Sequence, residues 1–380
     1  MIRVLITLTY YSPYVSGLTM YVKRLSEHLD KRRFSVRVLT MRHTASLKST
    51  EIINQIPVIR ASYFAKISKG FLSFNYIWKS LQEVRTCDVV VINLPQPEGL
   101  FPALFASLFR KKLVSIYHCD VVLPRTRLNQ MIEAILDGVH RVILKRSDTI
   151  VNNSFDFAKN SRILPQFLGK TIYIYPPIYF PKIDKRIQNI IGKKIKGETF
   201  YSIGIVTRIA AEKGLEYVLE AIPRIRKHLK GKPFRIFLAG PESIVGEDAY
   251  RRMIMKLMEK YKEYILYLGQ LDDHEMGAFY SLLDVLAVPS VNSTEAFGMV
   301  QIEAMSLGVP VVATDLPGVR VPIQKSSMGI IVPPYNSEKL AQAITMLLTK
   351  RSSYRRFVPF VRREFSIGKT IGEFRKVLGG

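Results

Sequence analysis

Two glutamates eight positions apart, Glu295 and Glu303, are the residues whose types and spacing best suit ligand binding. Glu303 falls in a predicted helix over Met299–Leu307 with apolar neighbours. Its carboxylate could hydrogen-bond two hydroxyls of a ribose, at roughly 1.5–3 kcal/mol for each charge-assisted bond. Glu295 precedes that helix, where the backbone amides of residues 297–300 and the positive end of the helix dipole would hold an anion or a polar ligand. The alternative is a solvated helix residue at position 303 and a helix cap at position 295.

A pair of cations follows the predicted strand Tyr201–Val206. Arg208 and Lys213 come after the strand end, and Gly214 starts the next predicted helix. In parallel α/β sheets ligands bind beyond the carboxyl ends of the strands, so two fixed cations here would make a diphosphate site without a glycine-rich loop. The alternative is a surface arginine and lysine beside a glycine that begins a helix.

His118 follows another predicted strand, Leu113–Tyr117, and precedes Cys119 and Asp120. A lone histidine is more often structural than catalytic, but the carboxyl end of a strand is where α/β proteins place functional groups. The other five histidines have no such placement. His118 is therefore a candidate catalytic residue.

Several motifs are missing from the sequence. It has no Walker loop, no G-x-G-x-x-G after the first strand, no H-E-x-x-H and no D-x-D. These absences weaken assignment to the ATPases, dehydrogenases, zinc proteases and metal-clamped transferases. The two cysteines, Cys87 and Cys119, make neither a disulfide framework nor a zinc site, which fits a reducing cytoplasm.

Alternating strands and helices must position these residues in both halves of the chain. In the first half, strand-like apolar runs occur at Ile2–Thr9, Val36–Leu39, Val89–Leu94, Leu113–Tyr117 and Thr149–Val151. In the second half, predicted strands lie at Tyr201–Val206, Phe234–Ala239, Ile265–Leu268, Val285–Val288, Val309–Ala313 and Ile330–Val332. The alternation predicts parallel βαβ units, hence an α/β fold of two Rossmann-like, doubly wound domains.

Domain boundaries follow from breaks in this pattern. Residues 175–178 contain two prolines that cannot continue a helix, and residues 182–198 are rich in lysine with little apolar periodicity. We predict a first domain over residues 1–180, a basic linker over 181–198, and a second domain over 199–350. A C-terminal segment follows over 351–380, with a helix near Gly368–Leu378.

The net charge of +25 is uneven along the 380 residues. Residues 1–200 carry +18, residues 201–350 carry +1, and residues 351–380 carry +6. This split predicts two modules with different partners, and it favours packing of the C-terminal segment on the first domain, whose charge it shares. Nucleic acid or an anionic membrane surface could bind the basic part.

Taken together, these motifs resemble the retaining glycosyltransferases of the GT-B fold, specifically glycosyltransferase family 4. The resemblance is strong over residues 200–350 and loose over the first half. It rests on the two glutamates, the two cations, and three further features in order: Leu238-Ala239-Gly240, Gly269, and the segment Ala304–Gly318. It implies two Rossmann-like domains facing a central cleft, with a C-terminal helix that crosses back to the first domain.

The resemblance also implies residue roles. The catalytic residues would be His118, Glu295, Arg208 and Lys213. The two cations would bind the diphosphate of a nucleotide sugar and stabilise the leaving group, as a metal does in other transferases. No metal and no cofactor are expected.

Nine residues would bind substrate. Glu303 would hold the ribose, the amides at 297–299 the donor sugar, and Gly269 with Leu271 would lie near the base. A glycine in the loop after the first strand would contact the donor phosphates and the acceptor. The full set is Gly17, Gly204, Gly240, Gly269, Leu271, Phe297, Gly298, Met299 and Glu303.

The predicted function is transfer of a hexose from a UDP- or GDP-linked sugar to a glycan or to a lipid-linked or membrane-associated acceptor. One alternative is a sugar-nucleotide epimerase on a related GT-B scaffold. The other is a noncatalytic, basic nucleic-acid-binding protein. No nucleic-acid recognition motif accompanies the charge, so no specific nucleic acid is expected as a partner.

An anionic membrane surface is the second predicted partner. The segment Lys66–Leu81 mixes three lysines with aromatic and aliphatic residues, which suits an interfacial helix or loop. The basic runs 31–33, 110–112 and 351–363 would add about 1 kcal/mol for each residue that reaches the lipid. No apolar run reaches about 18 residues, so we expect a cytoplasmic protein, peripheral on the inner face of the cell membrane. The alternative for Lys66–Leu81 is a packed helix with solvated lysines.

Overall fold

The structure, a computed structural model, describes residues 1–67, 70–195, 200–242 and 247–379. The chain forms two compact units. Unit 1 comprises Met1–Pro177 together with Ile367–Gly380, and unit 2 comprises Ile178–Ser366. Each unit is built on its own β-sheet, in which most neighbouring strands are parallel.

The sheet of unit 1 has eight strands in the order β10-β9-β8-β7-β1-β2-β4-β3, and β5 pairs with β6 in a separate hairpin. These strands are β1 (Ile2–Thr7), β2 (Phe34–Met41), β3 (Thr50–Ile53), β4 (Ile56–Ala61), β5 (Ala65–Ile67), β6 (Gly70–Leu72), β7 (Val89–Leu94), β8 (Lys112–Tyr117), β9 (Thr149–Asn152) and β10 (Thr171–Tyr173). Every residue of β7 is buried. A parallel strand covered on both faces is a continuous apolar run rather than an alternating one, which is why β7 is visible in the sequence.

Helices connect the strands of this sheet. They are α1 (Gly17–His28), α2 (Phe74–Thr86), α3 (Leu100–Leu108), α4 (Arg127–Arg146) and α5 (Phe155–Asn160). The strand order reverses at β1, which pairs with β2 on one side and with β7 on the other. The loops that follow β1 and β7 therefore diverge, and the crevice between such loops is where doubly wound sheets bind ligands.

Unit 2 has a six-stranded parallel sheet in the order β13-β12-β11-β14-β15-β16. The strands are β11 (Tyr201–Val206), β12 (Phe234–Ala239), β13 (Ile265–Gly269), β14 (Val285–Val288), β15 (Val311–Thr314) and β16 (Gly329–Val332). They lie within two residues of the strands predicted for the second half of the chain. The order reverses between β11 and β14, so the loops after these two strands enclose a second crevice.

The helices of unit 2 flank this sheet. They are α6 (Lys185–Ile195), α7 (Leu215–His228), α8 (Asp248–Lys260), α9 (Asp273–Ser281), α10 (Met299–Met305), α11 (Val321–Ser326), α12 (Ser337–Lys350) and α13 (Val358–Glu364). Helices α7 and α12 share one buried apolar core with the sheet, in which Ile222, Ile225 and Ile344 are fully enclosed.

The segment predicted as a basic linker over 181–198 is structured differently. Most of it forms α6, whose Gln188 Nε2 donates to Ser281 Oγ at 2.8 Å. Gly277 of α9 approaches the Lys182 backbone so closely that a Cβ would lie 1.9 Å from its carbonyl oxygen. The helix uses Ile191 as a buried contact, and the surrounding lysines obscured this apolar position in the sequence. Residues 196–198 of the predicted linker lie outside the described residues.

The segment over 351–380 divides between the units. A 3-10 helix and α13 belong to unit 2, where Arg362 Nε donates to the Ser306 carbonyl oxygen at 3.0 Å. The next helix, α14 (Ile367–Gly379), packs in unit 1 through buried Ile371, Phe374 and Leu378. The predicted return of the C-terminal helix to the first domain is thus confirmed. Residues 351–366 do not share that placement, and Gly380 lies outside the described part.

Candidate functional site

Arg208 lies in the loop that follows β11, at the crevice of unit 2. Its Nη2 donates to Glu212 Oε1 at 2.6 Å in an i,i+4 ion pair, and these side chains are 24% and 11% exposed. The largely buried carboxylate fixes the guanidinium from one side. Because arginine carries five N–H donors, others remain to bind an oxyanion.

Lys213 and Glu295 form a second ion pair, with Nζ and Oε2 2.6 Å apart. Burial by itself raises the pKa of the Glu295 carboxyl. The Lys213 ammonium, together with the backbone N–H groups of Gly298 and Phe297, outweighs burial and holds that pKa below its ordinary value. Glu295 is therefore an ionised carboxylate at neutral pH. Two residues predicted to be catalytic, 82 positions apart, thus lie in direct contact.

A close approach at Gly214 brings these two residues together. Gly214 follows the 3-10 helix Ala211–Lys213 with φ +60°, and a Cβ there would lie 2.3 Å from the carbonyl oxygen of Pro289. The Val291 N–H donates to the Glu212 carbonyl oxygen at 3.0 Å in the same region. The loops after β11 and β14 therefore pack closely against each other, and this packing places Lys213 beside Glu295.

The amides predicted to hold a donor sugar are partly used within the protein. The N–H groups of Phe297 and Gly298 bond to the Glu295 carboxylate. Met299 begins α10, which spans only seven residues. The loop thus folds around the Glu295 carboxylate, which takes the place of an external anion at these N–H groups. The prediction that the amides of residues 297 and 298 are free to bind a ligand does not hold.

Glu303 lies inside α10 and is buried, with 7% of its surface exposed. Tyr280 of α9 donates its hydroxyl to Glu303 Oε2 at 3.0 Å. This bond fixes the orientation of the carboxylate, as a ribose-binding residue requires.

Gly240, Gly269 and Leu271 lie at the carboxyl edge of the same sheet. Gly240 directly follows β12 with φ +141°, and a Cβ on it would lie 2.0 Å from the Thr207 carbonyl oxygen. Its N–H donates to the carbonyl oxygen of Gly269, the last residue of β13, at 2.8 Å. Leu271 follows and is partly exposed. The loops after β11, β12 and β13 therefore meet beside the crevice.

Gly204 does not belong to this edge. It lies in the middle of β11, and a Cβ there would lie 2.2 Å from Leu283 Cδ1. Close packing of the strand against Leu283 accounts for the glycine, so its predicted substrate-binding role has no support from its position.

In unit 1, Gly17 is the first residue of α1. The preceding Ser16 caps the helix, with its Oγ accepting from the Thr19 N–H at 3.1 Å. The loop before it is tied down by the fully buried Arg60, whose Nη2 donates to the Ser12 carbonyl oxygen at 2.7 Å. Gly17 thus lies where the loop after β1 enters a helix, the placement expected of a glycine that contacts phosphate.

His118 follows β8 and is 9% exposed. Its Nε2 lies 2.9 Å from Asn93 Oδ1, and Asn93 Nδ2 donates to the Thr7 carbonyl oxygen at 3.0 Å. Because the amide nitrogen of Asn93 faces Thr7, its oxygen accepts from His118, which places the ring proton on Nε2 and leaves the lone pair on Nδ1. Burial lowers the pKa of His118 to about 3. The ring is therefore a neutral imidazole with a defined tautomer.

Three residues that hold these side chains were missed by sequence reasoning. Glu212 follows Arg208 by four positions, a spacing of opposite charges that signals an ion pair. Asn93 is a polar residue near the end of an apolar strand, which is a weaker signal. Tyr280 carries no sequence signal, because its contact with Glu303 depends on how two helices pack.

Within the described ranges no helix is long and apolar enough to cross a membrane. The same part of the chain contains no group of three or more His, Cys, Asp or Glu side chains arranged to hold a metal ion.

Two protein-family models match the chain. The model described as "Glycosyltransferase Family 4" matches residues 15–175, and the model described as "Glycosyl transferases group 1" matches residues 186–364. The first match falls in unit 1 and the second in unit 2.

Characterised relatives are similar over different lengths. The phosphatidyl-myo-inositol mannosyltransferase of Mycobacterium leprae is 32% identical over 146 residues, which is 38% of this chain and 36% of the relative. The first relatives are thus matched over about a third of their length. The O-antigen chain mannosyltransferase C of Escherichia coli is 23% identical over 360 residues, covering 94% of this chain and 91% of the relative.

Solved structures share the whole fold. HepE of Anabaena, solved in complex with UDP and glucose, aligns with a TM-score of 0.80 at 18% identity over 100% of this chain and 99% of its own. WaaG, a glycosyltransferase involved in lipopolysaccharide biosynthesis, aligns with a TM-score of 0.72 at 17% identity over 99% of this chain and 100% of its own. With one family model matching each unit, the chain consists of a Glycosyltransferase Family 4 domain followed by a Glycosyl transferases group 1 domain, and it has the GT-B fold.

Proposed function

We propose that this glycosyltransferase moves a hexose from a UDP- or GDP-linked sugar to a lipid-linked or membrane-associated acceptor, with retention of configuration and without a metal. The observation that carries the proposal is the contact of Lys213 with Glu295, beside Arg208, at the strand-order reversal of unit 2. Two cations at such a crevice suit a diphosphate.

The leaving group gains negative charge as the bond to the sugar breaks. Arg208 and Lys213 are held in advance by carboxylates, so they stabilise this charge with little reorganisation. They supply the charge that a metal supplies in other transferases. Glu303, oriented by Tyr280, binds the ribose hydroxyls.

The acceptor binds to unit 1. His118 offers the Nδ1 lone pair of a neutral imidazole to a sugar or acceptor hydroxyl, and its buried position keeps it from taking up a proton at neutral pH. Gly17 lets the loop before α1 approach the phosphates and the acceptor.

Known proteins support the substrate classes. HepE has been solved with UDP-glucose, and the relative from Escherichia coli is an O-antigen chain mannosyltransferase. By analogy, the donor is a nucleoside-diphosphate sugar and the product is part of a glycan or glycolipid.

The test is a thermal-shift screen with nucleoside diphosphates and their sugars, followed by a transfer assay. A ligand at 100 times its dissociation constant stabilises by about 2.7 kcal/mol. We expect a shift with UDP or GDP, an unchanged anomeric configuration in the product, and the same rate with EDTA. Inversion would reject retention, and a rate that needs divalent ions would reject metal independence.

Lys213→Ala and Glu303→Ala should each reduce transfer below detection while the fold is kept. Lys213→Ala removes a diphosphate cation and leaves Glu295 unpaired, and Glu303→Ala removes the ribose contact. Lys262→Ala, which removes an exposed lysine paired only on the surface of unit 2, is the matched control. Full transfer by either site variant would refute the site, and epimerised or hydrolysed donor without acceptor would indicate the epimerase alternative.

We also propose that unit 1 binds the anionic inner face of the cell membrane. The segment Lys66–Leu81 is not one interfacial helix: it contains β5, β6 and part of α2, Tyr76 is fully buried, and residues 68–69 lie outside the described residues. Phe74 and Trp78 of α2 are nonetheless 75% and 59% exposed.

A longer apolar stripe lies on α4 and was missed in the sequence. Leu128, Met131 and Ile135 follow one helix face and are all more than half exposed. Arg125 and Arg127, at the start of the same helix, are exposed as well. Apolar side chains flanked by cations suit the surface of an anionic bilayer.

Co-sedimentation with vesicles tests this partner. We expect binding to vesicles containing phosphatidylglycerol, weak binding to phosphatidylcholine, and a loss of at least about tenfold when Met131→Glu and Ile135→Glu are combined. Met346→Glu, at a position 51% exposed on α12 of unit 2, is the control. Equal binding to neutral vesicles would show that attraction to anionic lipid does not drive binding. Unchanged binding of the double variant would show that the apolar stripe on α4 does not contact the membrane.

A further inference from the structure

Three aromatic rings, those of Phe374, Tyr21 and His118, are linked by two contacts. The Tyr21 ring in α1 meets the His118 ring edge-on, with centroids 4.7 Å apart and planes at 87°. Tyr21 also meets Phe374 of α14, with centroids 6.3 Å apart and planes at 85°. Residues far apart in the sequence, from α14, α1 and the loop after β8, are thereby packed in series.

Tyr21 contributes through its aromatic ring rather than through its hydroxyl. The residue is 2% exposed, and its buried hydroxyl has no hydrogen-bond partner among the described residues. An unpaired buried hydroxyl is costly, so the benefit of the residue must come from its contacts through the ring. Phe374 is fully buried and contacts the Tyr21 ring, so it restricts the movement of that ring.

His118 is held from two directions. Asn93 Oδ1 accepts a hydrogen bond from His118 Nε2–H while Asn93 Nδ2 donates to the Thr7 carbonyl oxygen, and the Tyr21 ring packs edge-on with the imidazole. The ionisable neighbour on the same loop, Asp120, is bonded instead to the Tyr117 and Ser161 hydroxyls. Burial, rather than a neighbouring charge, therefore keeps the imidazole neutral.

We propose that Tyr21 and Phe374 are positioning residues that hold the His118 ring in its working orientation, which makes α14 part of the candidate catalytic site. The proposal rests on the proposed role of His118 in transfer. It goes further in assigning a function to α14, which is linked to His118 through the Tyr21 ring.

The experiment follows His118 directly by NMR of the full-length protein with ¹⁵N-labelled histidine, assigned with His118→Gln. In the parent protein we expect the Nε2–H tautomer and no protonation of His118 between pH 5 and 9. Tyr21→Leu should let this ring titrate above pH 5 and lower kcat by about tenfold or more, with the donor KM changed less than about twofold. Phe374→Leu should act in the same direction, and Tyr21→Phe should rescue both signals.

Phe157→Leu is the matched control, because Phe157 is an equally buried aromatic residue of unit 1 in α5. It should lower the thermal stability of unit 1 without altering the His118 signals or kcat. If Tyr21→Leu leaves the tautomer and titration of His118 unchanged, or if Phe157→Leu alters them equally, the proposal is wrong. The NMR measurement does not depend on transferase activity. A parent protein without that activity would overturn the proposed function, while the His118 signals would still show whether Tyr21 and Phe374 position the ring.

Discussion

Both cations of the candidate donor site are already paired with carboxylates. Arg208 contacts Glu212, and Lys213 contacts Glu295, each at 2.6 Å. The ion pairs hold the two side chains in place, so less side-chain freedom is lost when a diphosphate binds. The same pairs oppose binding, because the anion must share each cation with a carboxylate. We expect this balance to favour release of the nucleoside diphosphate after transfer.

A second carboxylate, Glu98, leads to a pH prediction. It lies in the short 3-10 helix after β7, its two carboxyl oxygens are buried without a hydrogen-bond partner among the described residues, and burial raises its pKa to about 7. The native state therefore keeps a proton that the unfolded chain loses near its ordinary pKa. Stability should fall as pH rises from about 4.5 to about 7, by up to about 3 kcal/mol.

Glu98→Gln removes this penalty. The variant should exceed the parent in unfolding free energy at pH 8, and the difference should shrink toward pH 5. Denaturant unfolding at the two pH values measures it. The same difference at both pH values would show that Glu98 does not titrate in this range.

The sequence was informative about residues that carry the chemistry and much less so about those that hold them. The motif residues Lys213 and Glu295 could be predicted as members of one site, because each follows a strand of the same sheet. Tyr280, Tyr21 and Phe374 could not, since their contacts depend on packing between elements remote in the chain. Gly204 was included because it lies four residues before Arg208, but it is in the middle of β11 and packs closely against Leu283.

At the scale of elements, the buried parallel strands were predictable and the irregular elements were not. A continuous run of Val and Ile marked β7, whereas the short strands β3 to β6 lack such a run. Helix α6 was taken for a linker because its lysines and the prolines before it dominated the interpretation, although Ile187, Ile190, Ile191 and Ile195 recur at helical spacing. Element boundaries in the sequence thus depend on how much apolar surface each element buries.

Gly240 gives a prediction at this scale. Gly240→Ala should destabilise unit 2 by at least about 2 kcal/mol and weaken nucleotide binding. The new Cβ would lie 2.0 Å from the Thr207 carbonyl oxygen, and φ is +141°. Relief of this clash must move the loop that carries Arg208.

Gly231→Ala is the control, since Gly231 has φ +80° but no neighbour within 4 Å of a Cβ. It should cost about 1 kcal/mol from backbone strain alone. Thermal melts with and without UDP or GDP compare the two variants. If Gly240→Ala costs no more than Gly231→Ala, the close approach of the loops is not the constraint.

At the scale of the whole molecule, the two units differ less in net charge than the sequence segments 1–200 and 201–350 do. Unit 1 contains 28 basic and 12 acidic side chains, and unit 2 contains 28 and 19, so the net charges are +16 and +9. Most of the excess of basic over acidic side chains in unit 2 comes from residues 178–200 and 351–366. In the sequence these residues had been placed in the basic segments 1–200 and 351–380. The nearly neutral region is therefore residues 201–350, which carry the candidate donor site, rather than all of unit 2.

The discontinuity of unit 1 has a consequence for biosynthesis. During translation, α1 and His118 emerge long before α14, and all of unit 2 is made between them. At about 5–20 residues per second, roughly 13–51 seconds separate the synthesis of His118 from that of Phe374, which packs on Tyr21. Throughout that interval the nascent chain carries a first unit whose candidate catalytic histidine lacks its support. Synthesis itself thus delays completion of the first unit until α14 has been made.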